Sequence, residues 1–175
     1  MRVYDFITSE YGFKDKDVIV FGRSIGSGPA TYVSSERHPS MLVLMSPFKS
    51  IKDVVHGLGW LGKIGKLLVA ERFNNLERMD RVPCPVMFIH GLKDELIPKD
   101  HSEELHARVA NISQIIIPEE MDHNNFDFYT DLALPIQEFM KKLKIAANKN
   151  PELLKRNFLK FNPKLYEIPV EYKFD

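Results

Sequence analysis

The chain has 175 residues, of which 44% are hydrophobic and 27% charged, and its formal net charge at pH 7 is zero. This composition is typical of one globular domain, so it argues against a disordered chain and against nucleic acid as a partner, which would require a basic excess on one face. The single cysteine, Cys84, excludes an intramolecular disulfide, and no apolar run reaches membrane-spanning length, so we expect a cytoplasmic protein.

The first predicted elements are a helix and a strand. Residues 3–11 carry apolar side chains at helical spacing, which predicts the end of an amphipathic helix that Gly12 closes. Residues 18–21 are a continuous apolar run. Such a run predicts a strand that is buried on both faces, as in a parallel sheet.

The pattern G-x-S-x-G follows this strand, with Gly22, Ser24 and Gly26 at its fixed positions. It is typical of a strand-to-helix turn so tight that only glycine fits beside the serine, which leaves the serine hydroxyl exposed as a nucleophile. A helix over residues 25–36 is expected next. Its positive end and the backbone N–H of Ile25 would stabilise an oxyanion formed on a substrate attacked by Ser24.

The rest of the chain alternates strands and helices. Three further apolar runs predict buried strands, and they lie at residues 41–45, 86–91 and 114–118. Helices are expected over residues 99–110 and 129–145. This alternation predicts an α/β fold with a mostly parallel sheet of about four strands and flanking helices.

Two segments depart from this alternation. In residues 49–80 glycines interrupt a helical apolar pattern, and we interpret the segment as a mobile cap; a core helix over residues 67–73 is the alternative. Residues 1–147 form the predicted domain, and residues 148–175 form a carboxyl-terminal arm. Residues 141–175 hold nine basic and four acidic side chains, so the arm either packs along the domain or binds an acidic partner.

Three residues suited to nucleophilic catalysis each follow a predicted strand. They are Ser24, Asp94 and His123, and the loops at the carboxyl ends of parallel strands open to the same side of a sheet. A serine attacks, a histidine takes and returns its proton, and a carboxylate holds the imidazole in the required tautomer. The order Ser, Asp, His predicts a catalytic triad.

Three motifs carry a resemblance to a known family, namely FGRSIGSG at 21–28, PVMFIHGLKDELIP at 85–98 and DHN at 122–124. With them, residues 1–145 resemble the α/β-hydrolase superfamily, and within it the serine hydrolases related to domain-containing family 17 depalmitoylases and Bem46-like proteins. The resemblance implies Ser24 as nucleophile, Asp94 as acid, His123 as base and the Ile25 N–H as one oxyanion donor. We expect no metal and no cofactor.

The chain also departs from that family. It lacks the family's amino-terminal strands and the loop that supplies a second oxyanion N–H, a loss that typically lowers turnover about 10²–10³-fold. Without those strands, the strand at residues 18–21 would be an exposed apolar edge. The loop before His123 has Glu119 to Asp122 where the family usually has glycine, and Asp122 is a second carboxylate that could compete for the imidazole.

Two functions follow as alternatives, with a third possibility that Met1 is not the natural start. The first is a serine hydrolase of ester or thioester substrates, acting through an acyl-enzyme on Ser24. The second is a catalytically impaired binding or structural subunit, whose protein partner covers the edge at residues 18–21 or is bound by the arm. A zinc site is not expected, because His101 and His106 do not match H-E-x-x-H.

Overall fold

A computed structural model of the chain describes residues 1–57 and 73–145. These residues contain four strands, β1 (Ile19–Arg23), β2 (Met41–Met45), β3 (Val86–Ile89) and β4 (Ser113–Ile116). The strands form one sheet in chain order, and each neighbouring pair is parallel. The predicted parallel α/β sheet of about four strands is confirmed.

Helices lie between and after the strands. Within the described ranges they are α1 (Arg2–Ser9), α2 (Ser27–Glu36), α3 (Ile51–Gly57), α4 (Asn75–Met79), α5 (Asp100–Ala107) and α6 (Leu134–Lys142). The helix predicted over residues 129–145 is interrupted, because a π-helical turn at Phe128–Ala133 precedes α6. Pro135, at the start of α6, lacks the N–H that a continuous α-helix would need there.

The sheet is covered by apolar side chains on both faces. Alternate residues of β2 face opposite sides: Leu42 packs in a cluster with Ala30 of α2 and Leu105 of α5, whereas Val43 packs with Phe139 of α6. No side chain of β2 is more than 1% exposed. Burying each such side chain stabilises the fold by about 1.5–3 kcal/mol, and the strand predicted at residues 41–45 is confirmed with its boundaries.

The end strands are less buried than predicted. Phe21 in β1 is 47% exposed and Ile19 is 38% exposed, because β1 is an end strand and pairs within the described residues only with β2. The prediction of burial on both faces is therefore wrong for β1, whereas the expected exposed apolar edge is confirmed. β4 lies at the other end of the sheet and is only half-buried, so the prediction of a buried strand is wrong there too.

The structure describes part of the predicted cap and none of the predicted arm. Residues 49–57 and 73–80 of the predicted cap include α3 and α4. Residues 58–72 and 146–175, which hold the rest of the cap, most of the alternative core helix and the arm, lie outside the described residues. In the part of the chain that is described, no helix combines the length and apolarity needed to cross a bilayer.

Candidate active site

Ser24 stands at a sharp turn between β1 and α2. It begins a short 3₁₀ turn, Ser24–Gly26, that runs directly into α2, and its φ of 51° lies in the left-handed region. A non-glycine residue is rare there and costs on the order of 1–3 kcal/mol, so the surrounding structure must hold it in place. This strained turn is the geometry that G-x-S-x-G predicts for an exposed serine hydroxyl.

The two glycines of the motif differ in how much space surrounds them. A Cβ at Gly22 would lie 2.5 Å from the Cβ of Ala30 and 2.6 Å from the carbonyl oxygen of Gly26, so only glycine lets α2 pack against β1. At Gly26, leaving aside its chain neighbours and the backbone of its own turn, no atom of the described residues lies within 4 Å of the corresponding position, and its φ is −66°. The prediction that only glycine fits on both sides of Ser24 is therefore wrong at Gly26.

The structure brings Ser24, Asp94 and His123 together. His123 Nδ1 lies 2.8 Å from Asp94 Oδ2, and His123 Nε2 lies 3.0 Å from Ser24 Oγ. The carboxylate can only accept, so Nδ1–H donates to Asp94, and in a neutral imidazole Nε2 is then the unprotonated nitrogen that can accept the serine proton. The three residues thus form an unbroken chain of hydrogen bonds in the tautomer that a general base requires.

The loops after β3 and β4 hold each other in place. The N–H of Lys93 donates to the carbonyl of Met121 over 3.0 Å, and a Cβ at Gly91 would lie 2.2 Å from that carbonyl oxygen. Asp94 follows in the first loop and His123 in the second. The close approach of the two loops therefore sets the distance between the carboxylate and the imidazole.

The Asp122 carboxylate accepts hydrogen bonds within the turn that follows it. One carboxylate oxygen accepts the N–H groups of Asn124 and Asn125, each over 2.7 Å, and the other accepts the Asn125 side-chain amide over 2.7 Å. The imidazole of His123 is bound to Asp94 instead. Asp122 therefore does not compete for the imidazole, because its carboxylate closes the turn of the loop that lacks glycine.

Asp94 is surrounded by donors. Burial alone would favour its protonated form, but the His90 side chain, the Ile97 N–H and His123 together outweigh burial and hold the pKa of Asp94 well below its usual range. The side chain is almost fully buried, since the residue is 6% exposed. Asp94 is thus a permanent carboxylate at neutral pH.

The low pKa of Asp94 predicts how stability depends on pH. In an unfolded chain an aspartate has a pKa of about 3.9, so the folded chain binds fewer protons between its lower pKa and that value. The stabilisation is fully present above about pH 5 and is lost as the pH falls through the folded-state pKa. We expect the free energy of unfolding, measured by urea titration, to fall more steeply between about pH 5 and pH 2 in the wild type than in Asp94→Asn.

The matched control for this titration is Glu95→Gln, which removes the neighbouring carboxylate from an exposed side chain. It should keep the slope of the wild type. Equal slopes in the wild type and Asp94→Asn would contradict the assignment.

Sequence reasoning missed two residues beside the site. His90 is fully buried; its Nε2–H donates to the Ile97 carbonyl over 2.7 Å, and its Nδ1 lies 2.6 Å from Ser102 Oγ, so it ties α5 to the turn that holds Asp94. Arg23 donates from Nη2 to the carbonyl of His123. The sequence signals for them were a histidine at the end of a predicted buried strand and a charged residue inside the G-x-S-x-G motif.

Two depressions flank the hydrogen-bonded chain. A cavity of about 140 Å³ opens beside Ser24. Apart from Ser24 its lining is apolar: Ile25, Phe48, Ile51, Val54, Leu96 and Ile97. On the His123 side lies a groove of about 460 Å³ with a polar lining that includes Lys93, Glu95, Asp122, Asn124 and Asn125. Ser24 therefore faces apolar surface on one side of the site, and His123 faces polar surface on the other.

The histidines considered for zinc have structural contacts. His101 Nδ1 accepts the N–H of Lys49 over 3.1 Å, and burial lowers the pKa of His101. The ring of His106 packs edge-on against Phe88, with centroids 5.7 Å apart. In the described ranges no three His, Cys, Asp or Glu side chains come together as a metal site.

The chain is similar to curated α/β hydrolases. It is 24% identical over 136 residues to human alpha/beta hydrolase domain-containing protein 17B, an alignment that covers 78% of this chain and 46% of that protein. It is 25% identical over 137 residues to alpha/beta hydrolase domain-containing protein aho-3 of Caenorhabditis elegans, covering 78% and 40% respectively. The chain therefore spans less than half the length of these curated relatives. No protein-family model matches it.

Solved structures share the fold at low sequence identity. Acetyl xylan esterase from Paenibacillus sp. R4 superposes with a TM-score of 0.64 at 15% identity, covering 81% of this chain and 50% of that one. Acylaminoacyl peptidase from Pyrococcus horikoshii superposes with a TM-score of 0.63 at 15% identity, covering 87% and 28%. These likenesses confirm the partial α/β-hydrolase fold predicted from the three motifs.

Proposed function

We propose that this chain, which has part of the α/β-hydrolase fold and is similar in sequence to the domain-containing 17B proteins, hydrolyses esters or thioesters through an acyl-enzyme on Ser24. One observation carries the proposal: Ser24, His123 and Asp94 form a continuous hydrogen-bonded chain with distances of 3.0 Å and 2.8 Å. Nucleophile, base and orienting acid need these contacts for acyl transfer.

The proposed reaction uses each group in turn. Ser24 Oγ attacks the acyl carbon while His123 Nε2 takes the serine proton, and Asp94 stabilises the imidazolium that forms. The imidazolium then gives this proton to the leaving alcohol or thiol as the bond to it breaks. Water attacks the acyl-enzyme with His123 again acting as base, which returns the serine hydroxyl and releases the carboxylic acid. These steps draw only on side chains of the chain and on water.

The backbone N–H of Ile25 is the proposed oxyanion donor. Ile25 is the second residue of the turn Ser24–Gly26, and the first N–H groups of a helix have no acceptor within the helix. An N–H next to the nucleophile that is free in this way can bind the negative oxygen of the tetrahedral intermediate. A second donor would raise turnover by about 10²–10³-fold.

The surroundings of Ser24 and His123 support an acyl substrate. The apolar cavity beside Ser24 suits a hydrocarbon acyl group, because burying apolar carbon there removes it from water. The leaving group must lie near His123 to receive its proton, and that side of the site is the polar groove. We therefore propose an apolar acyl group joined to a polar alcohol or thiol.

An active-site-directed fluorophosphonate tests the proposal. It should label the folded wild-type chain at Ser24, because only an activated serine attacks phosphorus at a useful rate. Ser24→Ala should lose the label, and Ser9→Ala should keep it, since Ser9 is exposed and its hydroxyl donates to Glu10. The proposal fails if the folded wild-type chain remains unlabelled.

The binding or structural subunit is the second candidate, and the exposed edge of β1 favours it. Phe21 is 47% exposed on an end strand, and proteins rarely leave an apolar strand edge uncovered. This candidate expects a partner on that edge and no labelling of the isolated chain. The labelling experiment therefore separates the two candidates.

A further inference from the structure

Arg23 connects the nucleophile strand to the loop that carries His123. It is the last residue of β1 and directly precedes Ser24. Its Nη2 donates to the main-chain carbonyl of His123 and lies 3.4 Å from Asn124 Oδ1. Its guanidinium carbon is 5.5 Å from the centroid of the Phe126 ring. One side chain thus contacts three residues of the loop.

These contacts give His123 a second attachment to the end of β1. Ser24 binds the imidazole through Oγ, and Arg23 binds the backbone of the same histidine. Arg23 ends β1 and Ser24 is the next residue, so the two contacts hold the backbone and the ring of His123 from adjacent positions of the chain. Hydrogen bonds from a guanidinium are charge-assisted and stronger than neutral ones.

The rest of the loop is held mainly at its base. The backbone N–H of Lys93 donates to the carbonyl of Met121, and Asp122 closes a turn within the loop. Among the hydrogen bonds between described residues, the one from Arg23 is the only contact that ties the His123 main chain to the sheet. The nucleophile strand therefore holds the segment that carries the base.

The buried Nε atom of Arg23 also indicates that neighbouring residues hold the side chain in this geometry. Its Nε is buried and has no hydrogen-bond partner among the described residues. A buried donor without an acceptor costs free energy, so the side chain is held by its Nη2 and ring contacts at the expense of Nε.

We infer that Arg23 is a positioning residue that holds His123 in register with Ser24. This inference rests on the proposed function for its kinetic consequence, whereas its structural part concerns only the hydrogen bonds of His123. Arg23 does not touch the reacting atoms; it acts through the backbone of the base. A shift of the base by about 1 Å can lower turnover about 10²-fold.

The kinetic test compares Arg23→Met with Arg23→Lys. Methionine keeps an apolar stem and removes every donor, so kcat and the rate of fluorophosphonate labelling should both fall about 10–100-fold while KM changes little. Lysine keeps a charged donor without the planar fork and should recover part of the loss. Arg81→Met changes an exposed arginine and should match the wild type.

A spectroscopic test needs no activity. The Nδ1 proton of His123, bound between the ring and Asp94, should give a downfield proton resonance that Asp94→Asn removes. Arg23→Met should broaden or shift this resonance, and Arg23→Lys and Arg81→Met should largely preserve it.

The outcomes separate the inference from the proposed function. Wild-type protein without labelling but with a resonance that depends on Arg23 would sink the hydrolase and support the positioning role. Normal labelling and an unchanged resonance in folded Arg23→Met would overturn the inference alone. A raised KM with unchanged kcat would also overturn it, because it would place Arg23 in substrate binding.

Discussion

The His123→Ala variant is expected to hydrolyse ester substrates about 10⁴–10⁶-fold more slowly than the wild type. The Ser24 hydroxyl has a hydrogen-bond acceptor at His123 Nε2, 3.0 Å away, and without it the proton has no base to receive it. Removing the nucleophile or the base of such a unit costs about as much as removing the whole unit, because the groups act together. The measurement is kcat/KM on an activated ester, compared with the rate of uncatalysed hydrolysis of the same ester.

Loss of activity must be separated from loss of the fold. His38→Ala is the matched control, since His38 is exposed, and it should keep both the thermal midpoint and kcat/KM. His123 borders the open polar groove, so added imidazole should enter the space left by the deletion and restore part of the activity. Undiminished turnover in folded His123→Ala would remove His123 from the mechanism.

The fold was predictable where burial follows from local sequence. The apolar run at residues 41–45 gave the boundaries of β2, because both faces of that strand are covered. The run at residues 18–21 has the same local pattern, yet Phe21 in β1 is 47% exposed. Whether a strand is central or at an end depends on what pairs with it, and an apolar run alone does not encode that.

The site was predictable where a residue type and its place after a strand define a role. Ser24, Asp94 and His123 have such places, and the structure brings them within hydrogen-bonding distance; their catalytic roles stay predictions. Arg23 contacts a residue 100 positions away, and the buried His90 places its Nε2 3.4 Å from Asp94 Oδ2. Neither contact leaves a periodic or spaced pattern in the sequence, so both had to be seen in three dimensions.

The Gly22→Ala variant is expected to destabilise the chain by about 1–3 kcal/mol, the usual cost of overpacking. The added methyl would lie 2.5 Å from the Ala30 Cβ and 2.6 Å from the Gly26 carbonyl oxygen. Neither atom is the end of a flexible side chain, so α2 as a whole must move away from β1. For a chain of this size the midpoint of thermal unfolding should fall by about 2–12 °C.

Gly26→Ala provides the control, and its effect is expected to have the opposite sign. Gly26 has a φ of −66°, which alanine adopts without strain, and beyond the neighbouring residues of its own turn no described atom lies within 4 Å of the added methyl. Alanine reduces the freedom of the unfolded chain, so the variant should be unchanged or stabilised by up to about 1 kcal/mol. Equal destabilisation by both variants would show that the G-x-S-x-G turn needs its two glycines for a shared reason, whereas opposite signs would assign the tight packing of α2 against β1 to Gly22. Since Ser24 lies at the turn between β1 and α2, a shift of α2 in Gly22→Ala should lower turnover together with stability.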